Sequence, residues 1–181
     1  MRVIALSCPE FAKAAGKAAG VPPLLPPLPL RLPPCDFLYV DMHGVHNHAL
    51  WYCERGPVIS ALQVADWDLA GTVVFAANCY LADVGSPMLD ALLKAGARYV
   101  IAGEGKNYGG RKQLVGSALL GKYVRKLMSL GVDPLDALAI AKTRLAIRPL
   151  FWRLFGRTKA EKAARDTLKF KAFYREKTPE P

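Results

Sequence analysis

Cys79 and His43 are the residues of this chain best suited to chemistry. A thiol of pKa ~8.5 is only a few per cent thiolate at neutral pH, and a neighbouring imidazole makes it available as a nucleophile. His43 follows the apolar run DFLYVDM at 36–42, and Cys79 follows TVVFAA at 72–77 with Asn78 between. Both runs read as strands, and an open parallel sheet binds ligands outside the carboxyl ends of its strands. The expectation is a Cys79 nucleophile with His43 as its base. Gly44 adds a backbone N–H that can approach a substrate oxygen closely, because no side chain intervenes. Taken singly, a buried thiol is more often structural, and a strand-end histidine more often a hydrogen-bonding residue. The shared strand-end context is what favours catalysis.

The elements that must position these groups follow from pattern. Residues 2–7 form a short apolar strand, and 10–19 about two and a half helical turns ended by Gly20. Residues 21–34, VPPLLPPLPLRLPP, hold seven prolines in fourteen positions, so helix and central strand are excluded. This segment reads as an extended connector over the protein's own surface, with a polyproline ligand for an aromatic groove as the competing use. The 72–77 run lacks alternation, as expected of a strand covered on both faces. A helix at 87–95 has Pro87 in its first turn, Ser86 as cap and Gly96 at its end; ARYVIA at 97–102 is the next strand. That order is a parallel crossover unit. Helices are expected at 114–130 and at 134–147, the second capped by Asp133.

The predicted architecture is an α/β three-layer sandwich with a mainly parallel sheet, spanning 1–149 and including the 21–34 connector. A basic helical extension is expected over 150–181, packing partly through Phe151, Phe155, Leu168, Phe170 and Phe173. Its charge is the reason for setting it apart. The chain carries 25 Lys/Arg against 15 Asp/Glu, a formal +10, of which residues 1–98 contribute −1 and residues 99–181 contribute +11.

DFLYVDMHG followed by TVVFAANCYLAD, then a helix and AGARYVIA, resembles the caspase-like cysteine peptidases, specifically the CHAT domain family. The later GVDPLDALAIAKTRL extends the resemblance, which spans about residues 36–147. It implies a caspase-like fold and a cysteine endopeptidase that hydrolyses a protein substrate through an acyl-enzyme. Cys79 would attack the scissile carbonyl, His43 would manage the proton, and the N–H groups of Gly44 and Cys79 would hold the oxyanion. Glu104, Asn107 and Tyr80 are the substrate-binding candidates. Glu104 would favour a basic side chain before the cut, with a pair to Lys106 or Arg111 as the alternative. The sequence departs from the family in having Asn78 before the nucleophile and a short, proline-rich segment before residue 36.

Other readings compete. A catalytically inactive module of the same fold would keep His43 and Cys79 and bind protein partners. The basic C-terminal region is a candidate surface for an activating protein, with nucleic acid or an anionic membrane as weaker options, since no nucleic-acid reading module is recognisable. His43, His46, His48 and Cys53 suggest a metal cluster at first sight, but paired ligand spacing is absent, and neither a metal nor a cofactor is expected. Four scattered cysteines without a Cys-x-x-Cys pair do not make a disulfide scaffold. With no apolar stretch of ~18 residues, the default is a cytoplasmic protein with free thiols.

Overall fold

A computed structural model describes residues 1–107, 110–153 and 166–174. Strands β1 (Val3–Ser7), β2 (Phe37–Asp41), β5 (Val73–Ala76), β6 (Tyr99–Gly103) and β7 (Phe170–Phe173) form one sheet in the order β1-β2-β5-β6-β7. The first four are parallel. Phe37, Leu38, Tyr39 and Val40 align with Val73, Val74, Phe75 and Ala76, so β2 and β5 end side by side. A second, two-stranded sheet pairs β3 (Leu50–Cys53) with β4 (Gly56–Ser60).

Helices cover both faces. One core holds Leu38, Val40, Val74, Ala76, Val100 and Ala102 together with Trp51, Trp67 and the buried residues of α3 (Pro87–Lys94). The other takes the alternate residues of the same strands, Phe37, Tyr39, Val73, Phe75 and Ile101, against α1 (Ala12–Ala19), α4 (Gly116–Ser129) and α5 (Pro134–Arg153). This is the period of two expected of a sheet buried on both faces. A Cβ on Gly121 of α4 would lie 2.7 Å from the Tyr39 ring and 2.8 Å from Phe75, so glycine sets how closely that helix approaches the sheet.

Several local signals act as read from the sequence. The Ser86 hydroxyl accepts from the Leu89 amide, and Asp133 accepts from Leu135 N at 2.9 Å, so both helix starts are capped. The proline-rich segment lies along the outer edge of β1, where Leu24 N donates to Ala5 O at 2.8 Å and Ser7 N to Leu24 O at 3.1 Å. That contact covers an otherwise open strand edge.

Several parts differ from expectation. Within the extension expected to be helical over 150–181, the described residues 166–174 instead hold a short 3₁₀ turn, Thr167–Lys169, and β7, which pairs antiparallel with β6. Phe170 is almost fully buried and stacks on Phe75 at 5.4 Å, so an aromatic anchor and the free edge of β6 override the helical pattern. The helix expected to end at 147 continues to Arg153; the packing expected of Phe151 and Phe155 lies outside the described residues. The β3–β4 hairpin and the short α2 (Ala61–Ala65) lie between β2 and β5, where no element was expected. Among the described residues, no helix is long and apolar enough to cross a membrane.

Candidate functional site

The carboxyl ends of β1, β2, β5 and β6 deliver the candidate residues to one edge of the sheet, and the hairpin closes over it. His43 extends β2 by one bridge onto β3, donating its amide to Tyr52 O at 2.9 Å and accepting from Tyr52 N at 3.0 Å. The chain then turns against the loop after β5. A Cβ on Gly44 would lie 2.1 Å from the Cys79 carbonyl oxygen, so glycine is required there by close backbone packing, whatever else its N–H does. Asn78 is fully buried, and its amide lies 3.2–3.3 Å from Met42 N, Val40 O and Trp51 Nε1. Its work is to satisfy backbone groups where two strands end. Trp51 is a packing residue, 2% exposed.

The peptidase reading is overturned at this edge. Cys8 at the end of β1 and Cys53 at the end of β3 form a disulfide, which removes two of the four thiols and contradicts the expectation of free cysteines throughout. Glu10 sits in the same cluster and binds the imidazole: His43 Nε2 lies 3.1 Å from Glu10 Oε1, and the ring packs edge-on against Phe11 at 4.8 Å. Cys79 is free, but its sulfur lies between the Asn107 amide at 3.4 Å and the Asn107 carbonyl at 3.6 Å. Burial raises the Cys79 thiol above its ordinary pKa, and the Asn107 backbone offsets this only in part. No hydrogen bond among the described residues joins His43 to Cys79. A nucleophilic thiol requires a base or a depressed pKa. The Cys-His dyad, the acyl-enzyme and the thiol-protease assignment therefore fall together.

The remaining candidates are also engaged within the fold. Glu104 pairs with Lys171 on β7, a partner that the sequence reading replaced with Lys106 or Arg111. Asn107 Nδ2 donates to Asn78 O at 2.5 Å, tying the loop after β6 to the loop after β5. Tyr80 has φ of 61°, a left-handed conformation uncommon for a non-glycine residue, and its amide donates to Gly105 O at 2.6 Å. The histidines do not share a ligand: His46 Nδ1 bonds Asp83 Oδ2 at 2.8 Å, and His48 Nδ1 bonds the Tyr52 hydroxyl at 2.5 Å.

Two features of this edge, the burial of the Asp41 carboxyl and a three-residue grouping, escaped sequence reasoning. Asp41 is buried at the end of β2, and desolvation raises its carboxyl to about 7; the Tyr39 hydroxyl, 3.4 Å away, opposes the rise and the charge of Glu10 adds to it. The second is the grouping of Cys8, Glu10 and Cys53, whose ligand atoms lie within 4.8 Å of one another. Only the two-residue spacing of Cys8 and Glu10 was visible in the sequence, because Cys53 arrives on the hairpin.

Beside this bonded network two valines are exposed. Val45 is 49% exposed and Val84 96% exposed. They flank His46 and Asp83, which are bonded to each other, and the Tyr80 ring lies 5.9 Å from His46. The patch thus combines two bare valines with an aromatic ring and a polar rim. No family model matches the chain and no curated protein matches it, so the resemblance to CHAT peptidases rests on the motifs alone and is contradicted by the bonding of the residues that carried it.

Proposed function

We propose that this protein is a non-catalytic interaction module that binds a protein segment at the carboxyl edge of its sheet. The observation that carries the reading is the contrast at that edge. Cys8, Cys53, His43, Glu10, Cys79 and Asn107 are bonded to one another within the fold, while Val45 and Val84 stand bare beside them. Exposed apolar side chains with a polar rim are the usual composition of a recognition surface. The partner's chemistry follows from the same patch: an apolar side chain to contact the valines, and polar groups to meet His46 and Tyr80. The excess of basic residues after residue 98 favours an acidic partner by steering its approach. A cytoplasmic setting is proposed separately from the binding surface: a Cys8–Cys53 disulfide surviving in protein recovered from cells under thiol-blocking conditions would count against that location and leave the interaction reading standing.

Selection of peptides from a random display library on the intact protein tests the reading. Enriched peptides should lose at least tenfold in affinity for Val84→Glu and Val45→Glu variants and bind Cys79→Ala unchanged. Equal binding by the valine variants, or dependence of binding on the Cys79 thiol, would overturn it.

A further inference from the structure

We infer that Cys8, Cys53 and Glu10 form a redox-gated site for a zinc-class divalent cation: closed as the disulfide, open to metal when the two sulfurs are thiolates. The inference is independent of the proposed interaction surface. It begins with placement. Cys8 follows β1, Glu10 lies two residues further on, and Cys53 ends β3, so three ligating side chains from two distant parts of the chain converge at the mouth of the sheet edge. Their ligand atoms already lie within 4.8 Å of one another, and the Cα atoms of Cys8 and Cys53 are 5.3 Å apart. A tetrahedral zinc with Zn–S near 2.3 Å needs its sulfurs about 3.8 Å apart. Side-chain rotation can supply that separation without moving either backbone.

The surroundings suit a metal as well as a disulfide. Glu10 has a side chain only 9% exposed, and its Oε1 is held from two directions, by His43 Nε2 at 3.1 Å and by the Glu54 amide at 3.1 Å. Donors that orient a carboxylate in this way serve as the outer shell of metal sites. The imidazole over the carboxylate is 42% exposed, so the cluster lies one side chain below solvent and a cation has a route in. Two sulfurs and one carboxylate oxygen favour zinc-class over hard cations such as magnesium or calcium, which prefer all-oxygen sets. Three protein ligands leave the fourth position to water or to a ligand from outside.

Opening the site requires reduction, and the electrons come from a dithiol, which is oxidised to its own disulfide as the Cys8–Cys53 S–S bond breaks and its two protons pass to the freed sulfurs. Metal binding then releases two protons as both thiols become thiolates. Either cross-link fastens the end of β1 to the hairpin, so the two states compete for the same two sulfurs while preserving the same join.

The test uses the full chain and cobalt(II) as the probe. A phosphine replaces the dithiol as reductant because it leaves no competing thiol: its phosphorus takes the oxygen of one water, and that water's two protons go to the sulfurs. Reduced protein should bind one equivalent of cobalt with intense thiolate-to-metal absorption in the near ultraviolet and tetrahedral visible bands, displaced by zinc. The oxidised protein should show neither. Cys8→Ser/Cys53→Ser should abolish the bands, Glu10→Gln should weaken binding at least tenfold while still forming the disulfide on oxidation, and Cys35→Ser and Cys79→Ser should bind as the wild type does. Circular dichroism with and without zinc accompanies each titration. The proposal fails if reduced wild type takes up no cobalt on thiolates, if oxidised protein binds equally, if loss of Cys35 or Cys79 removes the bands, or if the reduced chain unfolds and zinc does not restore it.

Discussion

Glu10 Oε1 accepts from the Glu54 amide at 3.1 Å and lies 3.1 Å from His43 Nε2, so one nearly buried carboxylate oxygen joins the segment after β1, the segment after β2 and the turn of the hairpin. The consequence is mechanical. The imidazole that sequence context offers as a base to Cys79 is bonded through Nε2 to a carboxylate and to no atom of Cys79 among the described residues, and the thiol is committed to the backbone of Asn107. Hydrogen bonds to a charged group typically contribute about 1.5–3 kcal/mol, enough to hold this arrangement against a side-chain rotation.

The Cys8–Cys53 disulfide closes a separation of 45 residues. Constraint of the unfolded chain over a loop of that length corresponds to about 4 kcal/mol in the loop-entropy model, and measured values commonly fall at 2–4 kcal/mol. A Cys8→Ala/Cys53→Ala variant should therefore unfold at lower urea concentration than the oxidised wild type, with a loss in that range. An unchanged midpoint would mean that the hairpin is held by packing alone.

Asp41 gives the fold a pH dependence of defined sign. Its folded-state carboxyl is raised from 3.8 to about 7, so the native state binds this proton more tightly than the unfolded state does. Its contribution is greatest below about pH 4, declines as pH rises toward 7, and above that is a constant penalty on the order of 4 kcal/mol at most. Asp41→Asn should remove this slope, leaving stability flatter between pH 4 and 7 and higher at pH 8. Urea midpoints of both proteins across that range are the measurement, and an unchanged slope in the variant would reject the assignment.

Cys79 should behave as a sluggish thiol. Burial raises its pKa, so its thiolate fraction at pH 7 is below that of an ordinary cysteine and its alkylation should be slower than that of a short cysteine peptide. His43→Ala should leave that rate within about twofold, since the hydrogen bonds of the Cys79 sulfur among the described residues run to Asn107 and not to His43. Mass mapping of iodoacetamide adducts over time reads both quantities. Rapid labelling that depends on His43 would restore the dyad.

Gly44→Ala should be among the most disruptive single-methyl changes available. The added carbon would lie 2.1 Å from the Cys79 carbonyl oxygen, which is backbone and cannot swing aside. Separation of the two loops is expected to cost about 2–4 kcal/mol, the range of severe steric substitutions. Thermal unfolding measures it, and a loss below about 0.5 kcal/mol would show that the loops part freely.

Much of the frame is legible in the sequence because its determinants are local. Buried runs at 36–42, 72–77 and 97–102, the Pro87 start and the Ser86 and Asp133 caps define elements whose signals lie within a few residues, and the crossover rule then makes the three strands parallel neighbours. The same reasoning brings His43 and Cys79 to one edge, and Gly44 does pack on the Cys79 carbonyl. What those side chains do there was decided by groups far away in the chain. Glu10 takes His43 from 33 residues upstream, Asn107 takes Cys79 from 28 residues downstream, and Cys8 reaches Cys53 across 45. Strand Phe170–Phe173 is decided likewise, by the free edge of β6 and the face of Phe75. Sequence by itself determined the parallel strands, the helices that join them and the edge they share. Only the tertiary structure decided whether the reactive groups stay available, because the hydrogen bonds and disulfide that consume them depend on three-dimensional proximity, which spacing along the chain does not encode.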